Sequence, residues 1–551
     1  MTARASLTLA SLLVSAAVAP PALAQIREPG VPASARARLP GDVPLRVVAA
    51  SGVEALRAAA EAQTDGRYRY GAELAVNASL EDAGRWDTVP ATGELVWRLE
   101  LASPGAFSLG VVFSEFDVPR GAQVFLYPPD RSELLGAYGE SNENPNGMLA
   151  IQPMRGDRVV IEYVEPAGTR ARPKLAVGPL IHDYRDVLAA LQPGGIIAIS
   201  CFIDVNCPQV AEHQDIKRAV VWLFGGGGGC SGSILNNTAE DGTPYLLTAK
   251  HCGSMTNAVA VFDYERTGCG AGSSSQSKTI SGATLLAQST PFDGQLYRLN
   301  HTPPANYEPF YAGWTTATDI HDTPFVGISH PSGLPKKFQQ DDDPPLLSQS
   351  QVNVVFDDGL IQPGSSGSPL FDVWEHVVGA LTSGAGTCGN NFANYGRFDR
   401  FYETQGLGQW LDPQGWGLSA IDGYDPFEPY AVAYDGDQTN PAVYSTAEVP
   451  TLGTTWTGTV NASGHPGATS SVLVGYTAPA EGPTISYGQL LVDTGSTKLL
   501  QQGAPVALGS SQHDLALPAD GSLAGLVLYT QAFLVGGGTE ATNALKLVLN
   551  F

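Results

Sequence analysis

The chain has 551 residues, too many for one ordinary hydrophobic core, and suggests roughly three or four domains. Hydrophobic residues make up 43% of it and charged residues only 15%, with 63 glycines and 40 prolines, a composition typical of mostly β, turn-rich proteins. The formal net charge of -24 leaves no basic surplus to neutralise phosphates, so we expect no nucleic-acid partner and no anionic-membrane partner.

Residues 1–24 have the features of an export signal. Arg4 supplies a positive charge, and the residues from Leu7 to Ala19 are almost entirely apolar. Ala22-Leu23-Ala24 then forms a small-x-small cleavage signal before Gln25. The apolar run is shorter than the roughly 20 residues of a membrane-spanning helix, so we expect no membrane insertion and a secreted mature protein.

The sequence pattern of residues 25–195 predicts a β-rich domain. Glu94–Leu101 and Arg158–Val164 alternate or run apolar as strands do, and Asn144-Pro145-Asn146-Gly147 is a turn signal between them. We expect a β-sandwich from about residue 40 to about residue 188. The glycine-containing link Gln192-Pro193-Gly194-Gly195 follows, where a processing cut would be sterically easy.

All six cysteines lie in one stretch, which marks a central domain that we place at residues 196–425. They are Cys201, Cys207, Cys230, Cys252, Cys269 and Cys388. An even count in an exported protein predicts three disulfides, although the spacing does not decide the pairing. No CxxC pair or spaced His/Cys group is present, so we expect no metal and no other cofactor.

The last segment, residues 426–551, begins a new series of short strands after Asp425-Pro426. Examples are Ser471–Tyr476, Leu526–Tyr529 and Ala544–Leu549. We expect a small β-rich C-terminal domain without catalytic chemistry, for which binding to a surface or polymer is a candidate role.

The first catalytic pattern surrounds His251, which follows the apolar strand end Leu246–Ala249 and precedes Cys252. Cys230 is the natural disulfide partner of Cys252. A tether of this kind limits the movement of the imidazole, which must stay within hydrogen-bond reach of a hydroxyl to take its proton. His251 is therefore the candidate general base.

The second pattern is Pro363–Phe371, with the sequence PGSSGSPLF. Glycines on either side permit a tight turn that exposes Ser366 Oγ, and the backbone N–H groups of Gly364 and Ser366 can converge as an oxyanion hole. The GxSxG elbow of α/β-hydrolases is not met, because Ser368 stands in place of its last glycine.

The third member is Asp293, which introduces the alternating strand Gly294–Leu299. A carboxylate there would hold the Nδ1 proton of His251 and stabilise the imidazolium. Asp263 and Asp322 are the competing acids, but neither introduces a strand that returns toward the core. The chain order His, Asp, Ser is that of chymotrypsin-like enzymes.

Several further segments carry a specific resemblance. They are TAKHC, FDGQLYRL, PGSSGSPLF, FYAGW, SHP and YGRF. With the six-cysteine frame, they resemble the bacterial lysyl endopeptidase family over about residues 200 to 423, and the region before resembles the propeptide of that family. The resemblance implies a chymotrypsin-like double β-barrel and the disulfides Cys201–Cys388, Cys207–Cys269 and Cys230–Cys252.

Two departures from the family concern the pocket for the substrate side chain before the cleaved bond (P1). The family aspartate that holds a substrate lysine corresponds to Ala393, and the family histidine corresponds to Thr382. Leu360, six residues before Ser366, stands at the place that forms the pocket floor in chymotrypsin-like enzymes generally. The candidate substrate-binding residues are Leu360, Thr382, Ser383, Gly384 and Ala393. A desolvated lysine would lack a partner there, at several kcal/mol, so we expect neutral apolar or small P1 residues. Asp357 or Asp358 could instead supply an acid.

Ser365 stands where zymogen-type relatives carry an aspartate that captures a new N-terminal ammonium. Without a carboxylate at this position, we expect activation by release of the propeptide, residues 25–195.

The predicted protein is a secreted serine endopeptidase that works through an acyl-enzyme. Its expected partners are protein or peptide substrates and its own propeptide. A catalytically silent secreted binding protein on a protease scaffold is the alternative from another class, but all three catalytic groups are present. A secreted esterase would share the acyl chemistry, but the hydrolase elbow is missing.

Overall fold

The computed structural model describes residues 30–37, 39–62, 66–191, 201–388, 391–426, 430–434, 439–480, 482, 484–520, 523 and 526–549. The predicted signal peptide and the predicted 192–195 link lie outside these residues. The chain divides into two compact units, one ending at Asp425 and the other beginning at Pro426. Within the described part, no helix is long and apolar enough to span a membrane.

Two sheets enclose one apolar core in the N-terminal region. The first contains Leu45–Val47, Arg85–Thr88, Leu95–Ala102, Gln123–Tyr127, Leu135–Tyr138 and Arg158–Glu165. The second contains Gly71–Ser79, Ser108–Asp117, Leu149–Ala150, Met154–Arg155 and Lys174–Asp183. Leu99 and Ile161 from the first sheet and Val111 and Leu180 from the second share this core. The alternation of side chains along each strand places one face of each sheet inward.

The observed strand limits agree with the sequence prediction to within a residue for Leu95–Ala102 and Arg158–Glu165. The strand between them begins at Ser108 and runs to Asp117. It follows a turn in which the backbone N–H of Ala106 donates to Ser103 O at 3.2 Å.

An eight-stranded sheet forms the first half of the peptidase region. In spatial order it runs Thr279–Ser281, Val259–Val261, Val220–Gly225, Gly228–Leu235, Tyr245–Ala249, Gly294–Leu299 and Ala283–Ser289, with Tyr68–Arg69 added beside Gly228–Leu235. The added strand comes from the N-terminal region. All eight residues of Gly228–Leu235 are buried, so this strand lies at the centre of the core.

A ten-stranded sheet forms the second half. Its main path is Ile203–Asp204, Lys337–Asp341, Phe325–Ser329, Pro369–Phe371, His376–Gly384, Phe392–Arg397, Gln351–Val355 and Leu346–Leu347, with Gly313–Thr315 and Ala420–Ile421 at its side. The two sheets are the halves of the chymotrypsin-like double β-barrel expected from the sequence.

Helices are short throughout the described residues. The α-helices are Ala33–Arg36, Val53–Glu61, Ile216–Ala219, Phe398–Gln405 and Gly408–Leu411. The 3₁₀ helices are Glu140–Asn142, Ala189–Leu191, Pro208–His213, Lys250–Cys252, Ala305–Tyr307 and Pro331–Gly333. The protein is therefore mostly β, as its composition predicts.

The N-terminal region packs directly on the peptidase region. Tyr70 and Leu188 from the first share a buried apolar cluster with Trp222, Phe224 and Val261 from the second. Polar contacts surround this cluster, including Ala150 N to Ser281 Oγ at 3.1 Å and Asn300 Nδ2 to Asn144 Oδ1 at 2.9 Å. The interface therefore combines an apolar centre with a polar edge.

The unit that begins at Pro426 is also built of β-strands. One sheet contains Tyr430–Tyr434, Ser470–Tyr476, Lys498–Pro505, Val527–Val535 and Thr539–Val548. A second contains Tyr444–Ser445, Thr455–Asn461 and Ser510–Ala516, and a small hairpin pairs Thr484–Ile485 with Gly488–Gln489. Trp456, Leu473 and Leu545 lie in their common core.

Candidate active site

Antiparallel pairing brings His251 and Asp293 to the same end of the first sheet. Tyr245–Ala249 pairs with Gly294–Leu299, and Ala249 lies opposite Gly294. His251 comes two residues after the end of one strand and Asp293 one residue before the start of the other, so the two must be neighbours. Asp293 has a φ of 48°, a left-handed conformation that aspartate tolerates better than most residues.

Both carboxylate oxygens of Asp293 are engaged by His251. The ring Nδ1–H donates to Oδ2 at 2.6 Å, and the backbone N–H donates to Oδ1 at 2.9 Å. Lys250 N also donates to the Asp293 carbonyl at 2.7 Å. Because a carboxylate only accepts, Nδ1 carries the proton, and Nε2 is left free to act as a base.

The competing acids occupy other positions. Asp263 forms an ion pair with Lys278, and Asp322 is exposed. Neither takes the place of Asp293 at His251 Nδ1.

Ser366 lies in a turn held by tightly packed glycines. Gly364 has a φ of 102° and Gly367 a φ of 81°. A Cβ at Gly364 would lie 2.7 Å from His330 O, and one at Gly367 would lie 2.2 Å from Thr248 Oγ1. Ser231 N fixes the turn by donating to Ser366 O at 2.8 Å. The sequence signal for a special turn therefore reflects close packing as well as backbone conformation.

Ser366 Oγ and His251 Nε2 face a common point. An ideal Cβ built on Gly66 would lie 2.5 Å from Ser366 Oγ and 3.4 Å from His251 Nε2. His251 Nε2 is buried and has no hydrogen-bond partner among the described residues. A ring nitrogen without a partner close to a serine hydroxyl is compatible with a general base, because such catalytic contacts often tighten only when substrate binds.

The predicted oxyanion hole lies beside this point. Gly364 N–H donates at 2.9 Å to the backbone carbonyl of Gly66. The donor that would stabilise a developing oxyanion is thus already directed at a carbonyl oxygen. Gly66 had no distinguishing signal in the sequence, because a single glycine far from the cysteine domain matches no motif.

The predicted pocket residues lie in two places. Ala393 pairs with Gly384, and an ideal Cβ on Gly384 would lie 3.2 Å from Ala393 Cα and 2.5 Å from Ile361 Cδ1. Leu360 is 1% exposed, and its Cδ1 lies 3.4 Å from an ideal Cβ on Gly386. Ile361 and Gly386 join this group and were missed by sequence reasoning.

Thr382 lies on another side of the strand. Its Oγ1 is 3.5 Å from an ideal Cβ on Gly396, which would also meet the Phe292 carbonyl, so Thr382 faces the turn that carries Asp293. Ser383 Oγ accepts from Asn394 Nδ2 at 3.0 Å. A register shift between Leu381 and Ser383 accompanies this change of direction.

The two acids that could have entered the pocket point elsewhere. Asp357 and Asp358 are both exposed. Asp357 Oδ2 accepts the backbone N–H of Asp342 at 3.0 Å, and the Asp358 backbone bridges to Gln340. The group around Ala393 therefore presents apolar and backbone atoms rather than a carboxylate.

The family comparison agrees with this geometry. The sequence model described as lysyl endopeptidase, C-terminal domain, matches residues 197–401. Residues 197–401 match the lysyl endopeptidase family.

Solved structures of other peptidases match over a similar share of the chain. The active form of the Rv3671c protease from M. tuberculosis is 17% identical, covering 40% of this chain and 93% of that one, with a TM-score of 0.25. A Glu endopeptidase in complex with MPD is 12% identical, covering 34% and 90%, with a TM-score of 0.26. Kallikrein-related peptidase 10 in complex with Zn²⁺ is 14% identical, covering 36% and 97%, with a TM-score of 0.27. At TM-scores this low, we infer neither fold nor function from these structures.

Three disulfides join the cysteines of this lysyl endopeptidase region. They are Cys201–Cys388, Cys207–Cys269 and Cys230–Cys252, the pairs that the family resemblance implies. Cys230–Cys252 joins the central strand Gly228–Leu235 to the residue after His251. A covalent link at this point restricts the backbone that carries the imidazole.

Ser365 makes only neutral contacts. Its Oγ bonds to Ser329 Oγ at 3.0 Å and accepts from Gln362 N at 3.3 Å. The side chain is fully buried. No carboxylate stands here for a new N-terminal ammonium to pair with.

Proposed function

We propose that this chain is a secreted serine endopeptidase that cleaves peptide bonds through an acyl-enzyme. The observation that carries the proposal is the 2.6 Å contact between His251 Nδ1 and Asp293 Oδ2, which leaves Nε2 directed at the point that Ser366 Oγ also faces. The lysyl endopeptidase match over residues 197–401 supports the same reaction class.

In the proposed reaction Ser366 Oγ attacks the peptide carbonyl carbon while His251 Nε2 takes its proton. Asp293 holds the ring and stabilises the imidazolium, and the N–H groups of Gly364 and Ser366 stabilise the oxyanion. The imidazolium returns the proton to the leaving amine. Water then attacks the acyl-enzyme with the same histidine as base, releasing the acid product and Ser366.

The substrate side chain before the cleaved bond is proposed to be neutral. The group around Ala393 offers Leu360, Ile361 and backbone atoms, while Asp357 and Asp358 are exposed. An ammonium group entering this site would lose hydration without gaining a counter-ion. We therefore propose cleavage after Leu, Phe, Ala or Val in preference to Lys.

The remaining segments are given supporting roles. We propose that residues 1–24 direct export, that residues 25–195 act as a propeptide, and that residues 426–551 bind a surface or polymer. Three disulfides and a family of endopeptidases support an extracellular location.

Digestion of casein and of an unbiased peptide library tests the proposal. We expect cleavage by processed wild-type protein and none by Ser366→Ala processed in the same way, with Ser277→Ala, an exposed serine of the same region, as the matched control. Peptide-bond cleavage that survives in Ser366→Ala, or its absence from processed wild-type protein, would overturn it. Hydrolysis of simple esters without any peptide cleavage would indicate an esterase.

A further inference from the structure

A strand of the N-terminal region lies in the candidate active site. Tyr68–Arg69 pairs antiparallel with the first two residues of the central strand Gly228–Leu235, with Tyr68 opposite Gly229 and Arg69 opposite Gly228. The backbone N–H groups of Tyr70 and Gly71 both donate to Gly227 O at 2.9 Å. The segment is thus held as an added strand, the way an extended peptide binds to a sheet edge.

Gly66, two residues before this strand, lies beside Ser366, His251 and Gly364. Its carbonyl accepts the N–H of Gly364 at 2.9 Å. The position of a Cβ on its Cα would be 2.5 Å from Ser366 Oγ and 3.4 Å from His251 Nε2. Gly66 therefore engages a predicted oxyanion-hole donor and covers the nucleophile at the same time.

Gly66 occupies the space beside Ser366 Oγ. Its φ of 77° lies in the left-handed region. An L residue here would direct its Cβ into Ser366 Oγ, whereas a substrate must bring its carbonyl carbon to that oxygen. Only glycine fits this position without displacing the serine side chain.

Side chains on either side of the cleft hold the strand in place. The Tyr68 ring lies 3.3 Å from an ideal Cβ on Gly333, and Tyr68 Cβ lies 3.2 Å from one on Gly364. The Arg185 guanidinium lies 5.6 Å from the centre of the same ring. Arg67 Nη2 donates to Gly225 O. These contacts fix the strand one and two residues after Gly66.

We propose that Gly66–Arg69 is a built-in inhibitory strand, in which Gly66 covers Ser366 and occupies the N–H of Gly364. The inference rests on the proposed function, because it takes Ser366 as the nucleophile. It adds the identity of the blocking residue and the strand edge, Gly228–Gly229, on which the inhibitor binds.

The test measures the rate at which a fluorophosphonate probe labels the full-length band of the complete chain. Gly66→Val should displace the strand and raise this rate at least about tenfold, because the strain of a left-handed valine adds to the collision of its Cβ with Ser366 Oγ. Gly52→Val is the matched control. Gly52 has a φ of 82° with nothing within 4 Å of its ideal Cβ, so it imposes similar strain away from the site.

A second variant, Tyr68→Ala, removes the ring that packs on Gly333 and should also accelerate labelling. It provides the test if Gly66→Val fails to fold. Circular dichroism melting curves identify a misfolded variant. If full-length wild-type protein labels as fast as processed protein, or if the folded variants label no faster than wild type, the inhibitory strand is refuted while the peptidase stands. If processed protein does not label either, the proposed function itself fails.

Discussion

At the scale of single residues, the candidate acid is distinguished by its neighbours rather than by its own conformation. Asp263 and Asp293 are both turn residues with left-handed φ angles of 49° and 48°. Of these two, only Asp293 is placed next to His251 by the strand pairing. Both of its carboxylate oxygens accept hydrogen bonds from His251.

Asp293→Asn should therefore lower kcat at least about 10³-fold while the fold is kept, because an amide can present N–H to Nδ1 and favour the wrong tautomer. Asp263→Asn removes a carboxylate from an equivalent backbone conformation and should leave kcat within about twofold. Steady-state kinetics on one peptide substrate compare the two variants. Comparable losses in both would show that the effect is structural rather than catalytic.

The pocket gives a second prediction at this scale. Ala393→Asp should raise cleavage after lysine at least about tenfold relative to cleavage after leucine, because it supplies the missing counter-ion in a desolvated site. Asn394→Asp introduces the same charge one residue along the strand, beside Ser383, and should produce a smaller gain. The readout is the ratio of kcat/KM for paired peptides. Wild-type protein that already cleaves mainly after lysine would contradict the pocket assignment.

At the scale of secondary-structure elements, local patterns predicted more than long-range contacts. The strands Tyr245–Ala249 and Gly294–Leu299 could be predicted because their apolar residues form short runs bounded by polar residues. His251 and Asp293 lie beside the ends of these strands, which made them plausible neighbours. Gly66 could not be found, since its role depends on contacts 300 residues further along the chain, with Ser366. Ile361 and Gly386 were missed because apolar or glycine positions in a loop match no pattern.

The 3₁₀ turn that follows His330 gives a prediction about acid stability. Burial, and to a smaller degree the charge of Lys336, lowers the pKa of His330 from 6.5 to about 3. Its Nδ1 donates to Leu334 O at 2.9 Å and its ring stacks on Tyr264. Between pH 6.5 and about 3, His330 therefore stays neutral in the native protein, whereas the same histidine in the unfolded chain binds a proton. This group lowers the free energy of unfolding as pH falls from 6.5 toward 3, by up to about 1.4 kcal/mol per pH unit.

His330→Gln keeps an N–H donor but does not titrate, so its denaturation midpoint should fall less steeply between pH 6.5 and 3 than that of wild type. His321→Gln, at an exposed histidine, is the control and should retain the wild-type slope. Urea denaturation at several pH values, followed by tryptophan fluorescence, measures the slopes. Equal slopes for wild type and His330→Gln would show that His330 is protonated in the native protein.

At the scale of the whole molecule, the N-terminal region and the peptidase region belong to one compact unit. They share the apolar cluster that contains Tyr70 and Trp222, and the strand Tyr68–Arg69 extends the peptidase sheet. Release of the N-terminal region would therefore have to break both an apolar contact and a strand pairing. After a cut near residue 195, residues 25–195 should therefore stay bound to the peptidase region at neutral pH, and size-exclusion chromatography of the cut chain should show the two pieces eluting together.

The proposed reaction depends most on Ser366 being the nucleophile. The direct measurement is the mass of processed protein after reaction with a fluorophosphonate, followed by peptide mapping of the adduct. We predict one adduct per chain, located on Ser366 and abolished in His251→Ala, because the hydroxyl needs a neutral imidazole to lose its proton. An unmodified Ser366, or an adduct on a different residue with peptidase activity lost, would contradict the assignment.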